Sequence, residues 1–191
     1  MRAHAFLMIA ALAGTSACGP DATDKQPSEP VQAGPEIVSG KPLYDQAGSM
    51  APDVTLTREN GGPASITAFR GTPTLVNLWA TWCAPCIAEL PALDRLAKAQ
   101  GYDMNVIAVS QDMQGWDKIT PFLRENPLES LTVLADADGA LSRALGVAGL
   151  PVTILYDAEG RELWRVNGPR EWDEPGGLPP ETAAPEKSEA N

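Results

Sequence analysis

Cys83 and Cys86 stand three residues apart in "LVNLWATWCAPCIAELP", residues 75–91, where an apolar β-like run gives way to a helical one. A cysteine attacks as thiolate, and the partial positive charge at a helix N-terminus stabilises that anion. Three-residue spacing on a first helical turn brings two sulfurs within bonding distance. Cys83, at the strand-to-helix junction and partly exposed, is therefore expected to be the nucleophile, with Cys86, one turn along on the inner stripe, as the resolving thiol. Ala84 and Pro85 lie between them as the residues positioned to tune the pair. Pro85 suits the first turn, where its missing N–H would be unpaired anyway. Glu89 follows Cys86 at i+3, where a carboxylate can hand protons to and from a buried thiol or simply be a solvated helix glutamate. Pro91 is expected to kink the helix just beyond this turn.

Two other readings of the pair are weaker. A zinc site needs two more ligands, and the chain has three cysteines and one histidine, His4, in all. A structural staple closing so short a loop removes little chain entropy. Redox chemistry is the reading that uses both residues, and neither a metal nor a cofactor is expected.

His4 lies in "MRAHAFLMIAALAGTSACG", which has a basic start at Arg2, an apolar run too short to cross a bilayer, and small residues before Cys18. Residues 1–17 read as a secretory signal peptide. Thr15-Ser16-Ala17-Cys18 resembles a bacterial lipobox, with Thr15 where leucine is usual, so Cys18 is expected to be lipidated. The alternative is cleavage near Ala13 or Ala17 and a free Cys18 thiol. Removal of residues 1–17 leaves a mature protein without histidine, which excludes Ser-His-Asp and Cys-His catalysis and the usual histidine-containing zinc or copper sites. A net charge of −11, from 25 acidic against 14 basic residues, argues against nucleic-acid binding.

The elements that must position the pair are legible along the middle of the chain. Residues 18–45, with Pro20, Pro27, Pro30, Pro35 and Pro42, read as a flexible tether, and residues 169–191 as an acidic, disordered tail apart from Trp172 and Leu178. Between them, residues 46–168 form one domain. "DVTLT" (53–57) alternates like a strand, and "PTLVNLWA" (73–80) is a buried central strand. A helix follows over residues 84–100, its stripe Cys86, Leu90, Leu93 and Ala97, and it stops at Gly101. "MNVIAVSQD" reads as a second buried strand, "GWDKITPFLREN" as a short helix interrupted at Pro121, "LTVLAD" as a third strand, and "GALSRALG" as a further helix. "PVTILYD" and "RELWRVNG" flank "DAEG" as a hairpin. Strands alternating with helices and ending in a hairpin predict an α/β fold, a mixed central sheet with helices on both faces.

"WATWCAPC" after an apolar strand, with "GVAGLPVTILYDAEG" downstream, resembles the thioredoxin-like fold, specifically the TlpA/ResA/CcmG-like thiol:disulfide oxidoreductases of the bacterial envelope, over about residues 50–168. The resemblance implies that Pro151, preceded by Leu150, is cis and packs beside the active-site disulfide, where the adjoining backbone holds substrate peptide. It implies an active-site acid at Glu89, a substrate contact at Trp82, and Asn77 where thioredoxin proper has a buried aspartate. The helix and strand over about 112–134 correspond to the family's insertion. One departure stands out: the fold closes with a C-terminal helix, and no amphipathic pattern follows Gly168, so either a turn around Trp172 or another element must cover that side of the sheet.

The expected function is reduction of disulfides in exported proteins, of the cytochrome c maturation type. The protein would be a monomer on a lipid anchor at the periplasmic side, recharged by a membrane thiol-disulfide electron donor. The direction of electron flow comes from the resemblance alone. The alternative is a Cu(I) metallochaperone holding copper between Cys83 and Cys86, which lacks an evident Met or His beside the motif. A thiol peroxidase is disfavoured, since the positions three and seven before Cys83 are Ala80 and Val76, where related peroxidatic sites carry Thr or Ser and Pro.

Overall fold

The computed structural model describes residues 40–179. The signal segment, Cys18, most of the tether and residues 180–191 lie outside the described residues. Among those described, no helix is long and apolar enough to cross a membrane.

The apolar run at residues 73–80 forms β4 (Thr74–Trp79), buried along its whole length. A strand with no polar face needs neighbours on both edges and cover on both sides. It pairs in parallel with β5 (Asn105–Ser110) and antiparallel with β7 (Val152–Tyr156). Outward from these lie β6 (Thr132–Ala135) and β8 (Glu162–Asn167), and the short β1 (Pro42–Leu43), β2 (Leu56–Thr57) and β3 (Pro63–Ala64) finish the edges. The eight-stranded mixed sheet runs β1-β8-β7-β4-β5-β6-β2-β3.

Alternation along β4 divides the core in two. Leu75 and Trp79 face α1 (Ala84–Gln100) and α2 (Trp116–Glu125), packing with Leu90, Leu93, Leu96 and Ile119. Val76 and Leu78 face the opposite side with Ile66 of a single 3-10 turn and Leu141 of α3 (Ala140–Ala144). The fold is thus the thioredoxin-like α/β arrangement expected, and α2 with β6 forms the inserted helix-strand element.

Three local expectations are corrected. Only Leu56–Thr57 of "DVTLT" pairs as strand, because Asp53 instead accepts hydrogen bonds from Ser65 Oγ (3.0 Å) and Thr67 Oγ1 (2.9 Å) at the start of the 3-10 turn. α2 runs through Pro121: buried Ile119 and core-packed Phe122 flank the proline, and their burial outweighs one missing N–H bond. At Pro91, where a kink is expected, α1 runs on to Gln100, and Leu90, Ala92 and Leu93 around the proline are all buried. Finally, the packed domain exceeds residues 46–168 at both ends. Pro42–Leu43 pairs with Val166 and Arg165 of β8, a two-residue strand too short to carry a period. Past Gly168 a strap over residues 168–179, without a helix, buries Trp172 and packs Leu178 against the α1 core.

Candidate active site

β4 delivers the chain to the site, and its two neighbours gather there by register. Trp79 pairs with Ser110 at the end of β5, and Leu78 pairs with Val152 at the start of β7, so Pro151 arrives at the same end of the sheet as the redox loop. The Leu150–Pro151 bond is cis, and Leu150 packs against both halves of the core.

Cys83 is the N-cap residue of α1, in extended conformation, and its side chain makes no capping hydrogen bond in this state. It is joined to Cys86 in a disulfide with Cα atoms 5.3 Å apart. Cys83 is 6% exposed and Cys86 fully buried, so of the two only Cys83 reaches the surface, with less exposure than its junction position led us to expect. Ala84 and Pro85 are exposed, and Trp82 beside them is 70% exposed. A reduced Cys83 would see the unpaired N–H groups of the first turn. Pro85 offers none, so the N–H of Cys86 is the natural donor to a thiolate at this cap.

Glu89 is not on a solvated face: it is 1% exposed. Oε1 accepts from Asn77 Nδ2 at 2.7 Å, and Oε2 accepts from the Arg170 backbone N–H at 3.0 Å and Trp172 Nε1 at 2.9 Å. Burial pushes the carboxyl from an ordinary 4.5 up to about 7, against the opposing pull of the hydrogen bonds from Trp172, Arg170 and Asn77. A carboxyl poised there can take or return a proton near neutral pH. Asn77 Nδ2 also donates to Thr153 Oγ1 at 2.9 Å, tying β4, α1 and β7 together.

Several residues of this arrangement were not singled out as site residues from sequence. Buried Asp112 accepts from the Thr81 N–H (2.9 Å), Thr81 Oγ1 (2.7 Å) and Ser110 Oγ (2.7 Å), and so fixes the loop two residues before Cys83. Its signal, a Ser-x-Asp at a strand end, is too common to be specific. Arg170, Trp172 and Thr153 complete the surroundings of Glu89. Only Trp172, an aromatic residue stranded in a polar Pro-rich stretch, carried a sequence signal. Among the described residues no cluster of His, Cys, Asp and Glu is arranged to hold a metal ion.

Comparison with known proteins gives this geometry a lineage. The chain is 42% identical over 110 residues to thiol:disulfide interchange protein DsbE of Vibrio cholerae, covering 56% of this chain and 57% of that protein. It is 30% identical over 126 residues to thioredoxin-like protein YneN of Bacillus subtilis, covering 65% and 74%. The matched region thus spans little more than half the length of the Vibrio relative. Among solved structures, one described as a DsbE-type protein from Chlorobium tepidum superposes with a TM-score of 0.60 at 31% identity, covering 66% of this chain and 89% of that one. The Redoxin family model matches residues 46–178, from the sheet's first turn to the strap that closes over Glu89, and the chain belongs to the Redoxin family.

Proposed function

We propose that this protein is a thiol:disulfide oxidoreductase of the bacterial envelope that reduces disulfides in exported proteins. The observation that carries the reading is the Cys83–Cys86 disulfide on the first turn of α1, with cis Pro151 at the same end of the sheet and Glu89 buried below. The names of the DsbE relatives support the activity. The TlpA/ResA/CcmG-like resemblance supports the finer reading, a reductase of the cytochrome c maturation type. The signal-like start and Cys18 support a lipid anchor on the periplasmic side.

In the reduced protein, the Cys83 thiolate attacks one sulfur of a substrate disulfide, forming a mixed disulfide and releasing the other sulfur as thiolate, which takes a proton. Cys86 then passes its proton to Glu89 and attacks Cys83 Sγ. The Cys83–Cys86 disulfide forms, the mixed disulfide breaks, and the second substrate sulfur leaves as thiolate and is protonated. Two electrons have moved to the substrate. A membrane dithiol donor returns the protein to its reduced form. Trp82 and the backbone beside Leu150 and Pro151 receive the substrate chain, while Ala84 and Pro85 tune the potential.

The test is trapping. Cys86→Ser removes the resolving thiol, so mixed disulfides between Cys83 and exported proteins should accumulate and disappear on adding dithiothreitol. The same preparation is titrated with Cu(I), and the wild-type reduction potential is measured. No trapped protein alongside tight Cu(I) binding, or the potential of a strong oxidant, would overturn the reductase reading.

A further inference from the structure

We infer that Trp172, carried by the C-terminal strap, is a positioning residue for the Glu89 carboxylate and selects which of its oxygens carries the proton. This rests on the reading of Glu89 as the proton-transfer group. Oε2 accepts two hydrogen bonds, both from the strap: the Arg170 N–H at 3.0 Å and the Trp172 indole at 2.9 Å. Oε1 accepts one, from Asn77. A carboxylate oxygen has two in-plane lone pairs, so Oε2 is saturated and Oε1 keeps one free for a proton.

The indole contact is specific to this residue. Trp79 and Trp164 are as deeply buried as Trp172, and neither Nε1 has a hydrogen-bond partner among the described residues. Burial in this core therefore does not by itself direct an indole N–H to an acceptor. Trp172 is aimed by two ring contacts: it stacks on Trp164 with centroids 6.5 Å apart and planes 8° from parallel, and the Arg170 guanidinium lies 5.9 Å from its ring centroid. Its backbone belongs to a strap fastened along its length. The Gly168 N–H donates to the Pro151 carbonyl at 2.9 Å, Arg170 donates to the carbonyls of Gly40, Gly176 and Gly177, and Asp173 pairs with Arg95 of α1 at 2.5 Å. The strap thereby joins the cis-proline turn to the buried acid.

The titratable and charged groups on the elements around Glu89 are exposed or engaged elsewhere, apart from Cys86. α1 contributes Cys86 once reduced, Asp94, which accepts from the N–H groups of Glu129, Ser130 and Leu131, and the exposed Arg95 and Lys98. The strap contributes the Arg170 guanidinium, engaged with the three carbonyls, Asp173, engaged with Arg95, and the exposed Glu171 and Glu174. β4 and β7 present Asn77 and Thr153, which do not titrate.

The experiment follows the Glu89 carboxyl directly, by carbon-13 NMR of glutamate-labelled, full-length reduced protein against pH. Three proteins are compared: wild type, Trp172→Phe, and one with benzothienylalanine at position 172. The last keeps the fused ring and replaces only the N–H, which preserves the test if Trp172→Phe fails to fold. Loss of one charge-assisted donor should raise the carboxyl midpoint by about one pH unit. The pH profile of Cys86-dependent disulfide exchange should move the same way, and substitution at 172 in a Glu89→Gln background should move no profile. An unchanged carboxyl midpoint in the benzothienylalanine protein would overturn the role of Trp172. A wild-type pH profile in Glu89→Gln alone would instead refute proton transfer by Glu89, and the NMR titration would still judge Trp172 by itself.

Discussion

At the scale of single residues, burial and hydrogen bonding oppose one another at Glu89, and burial is the larger effect. The sign of the resulting pH dependence follows from proton counting. Between an unfolded-state pKa of 4.5 and a folded-state value of about 7, the folded protein holds the proton and the unfolded chain does not. Stability therefore falls as pH rises through that window, by roughly 3 kcal/mol from this group, with the full contribution present below 4.5. Urea denaturation of the wild type at a series of pH values should show the decline, and Glu89→Gln should remove most of that slope. An equal slope in both proteins would mean that Glu89 stays charged across the window.

Elements rather than residues decide how firmly the redox loop is held. Asp112 bridges the end of β5 to Thr81, so Asp112→Ala would leave the buried Ser110 hydroxyl and the Thr81 donors without their acceptor. The expected loss is about 3 kcal/mol by chemical denaturation, with slower exchange at Cys83 because the cap of α1 is no longer anchored. The strap depends on Gly177. A Cβ there would lie 2.3 Å from the Glu171 carbonyl oxygen and 2.7 Å from that of Trp172, both backbone atoms that cannot swing aside. Gly177→Ala should cost about 2 kcal/mol and open the strap, read as faster hydrogen exchange at residues 170–178 with the sheet unaffected.

For the whole molecule, one sheet separates two cores, and α1 and α3 seal them on opposite faces. Leu93 and Leu141 are each fully buried, one on each side. Leu93→Ala and Leu141→Ala should each destabilise by about 2–5 kcal/mol. Because the two side chains belong to separate clusters on opposite faces of the sheet, the double variant should lose the sum to within about 0.5 kcal/mol in a single cooperative transition. Two resolved transitions would show that the cores unfold separately.

What was legible in the sequence was the part encoded locally. The Cys83/Cys86 spacing, the unbroken apolar run of β4 and the stripe of α1 each follow from residues within one or two turns of one another, and the helix bounds, Ala84–Gln100, match the pattern directly. The α/β order was readable for the same reason. What the tertiary structure decided depends on residues far apart in the chain. Glu89 could be read as a solvated glutamate or as an acid until Asn77, twelve residues before it, and Trp172, 83 residues after it, were seen to enclose it. Pro121 argues locally for a break, and packing on either side of it overrules the proline. The Pro-rich stretch after Gly168 has neither helical nor strand period, because its order comes from an arginine and a tryptophan that meet partners elsewhere in the fold and a glycine that lets the strap pack on itself. Periodicity reports burial of regular elements against a core; it carries no signal for a strap that is held by single contacts.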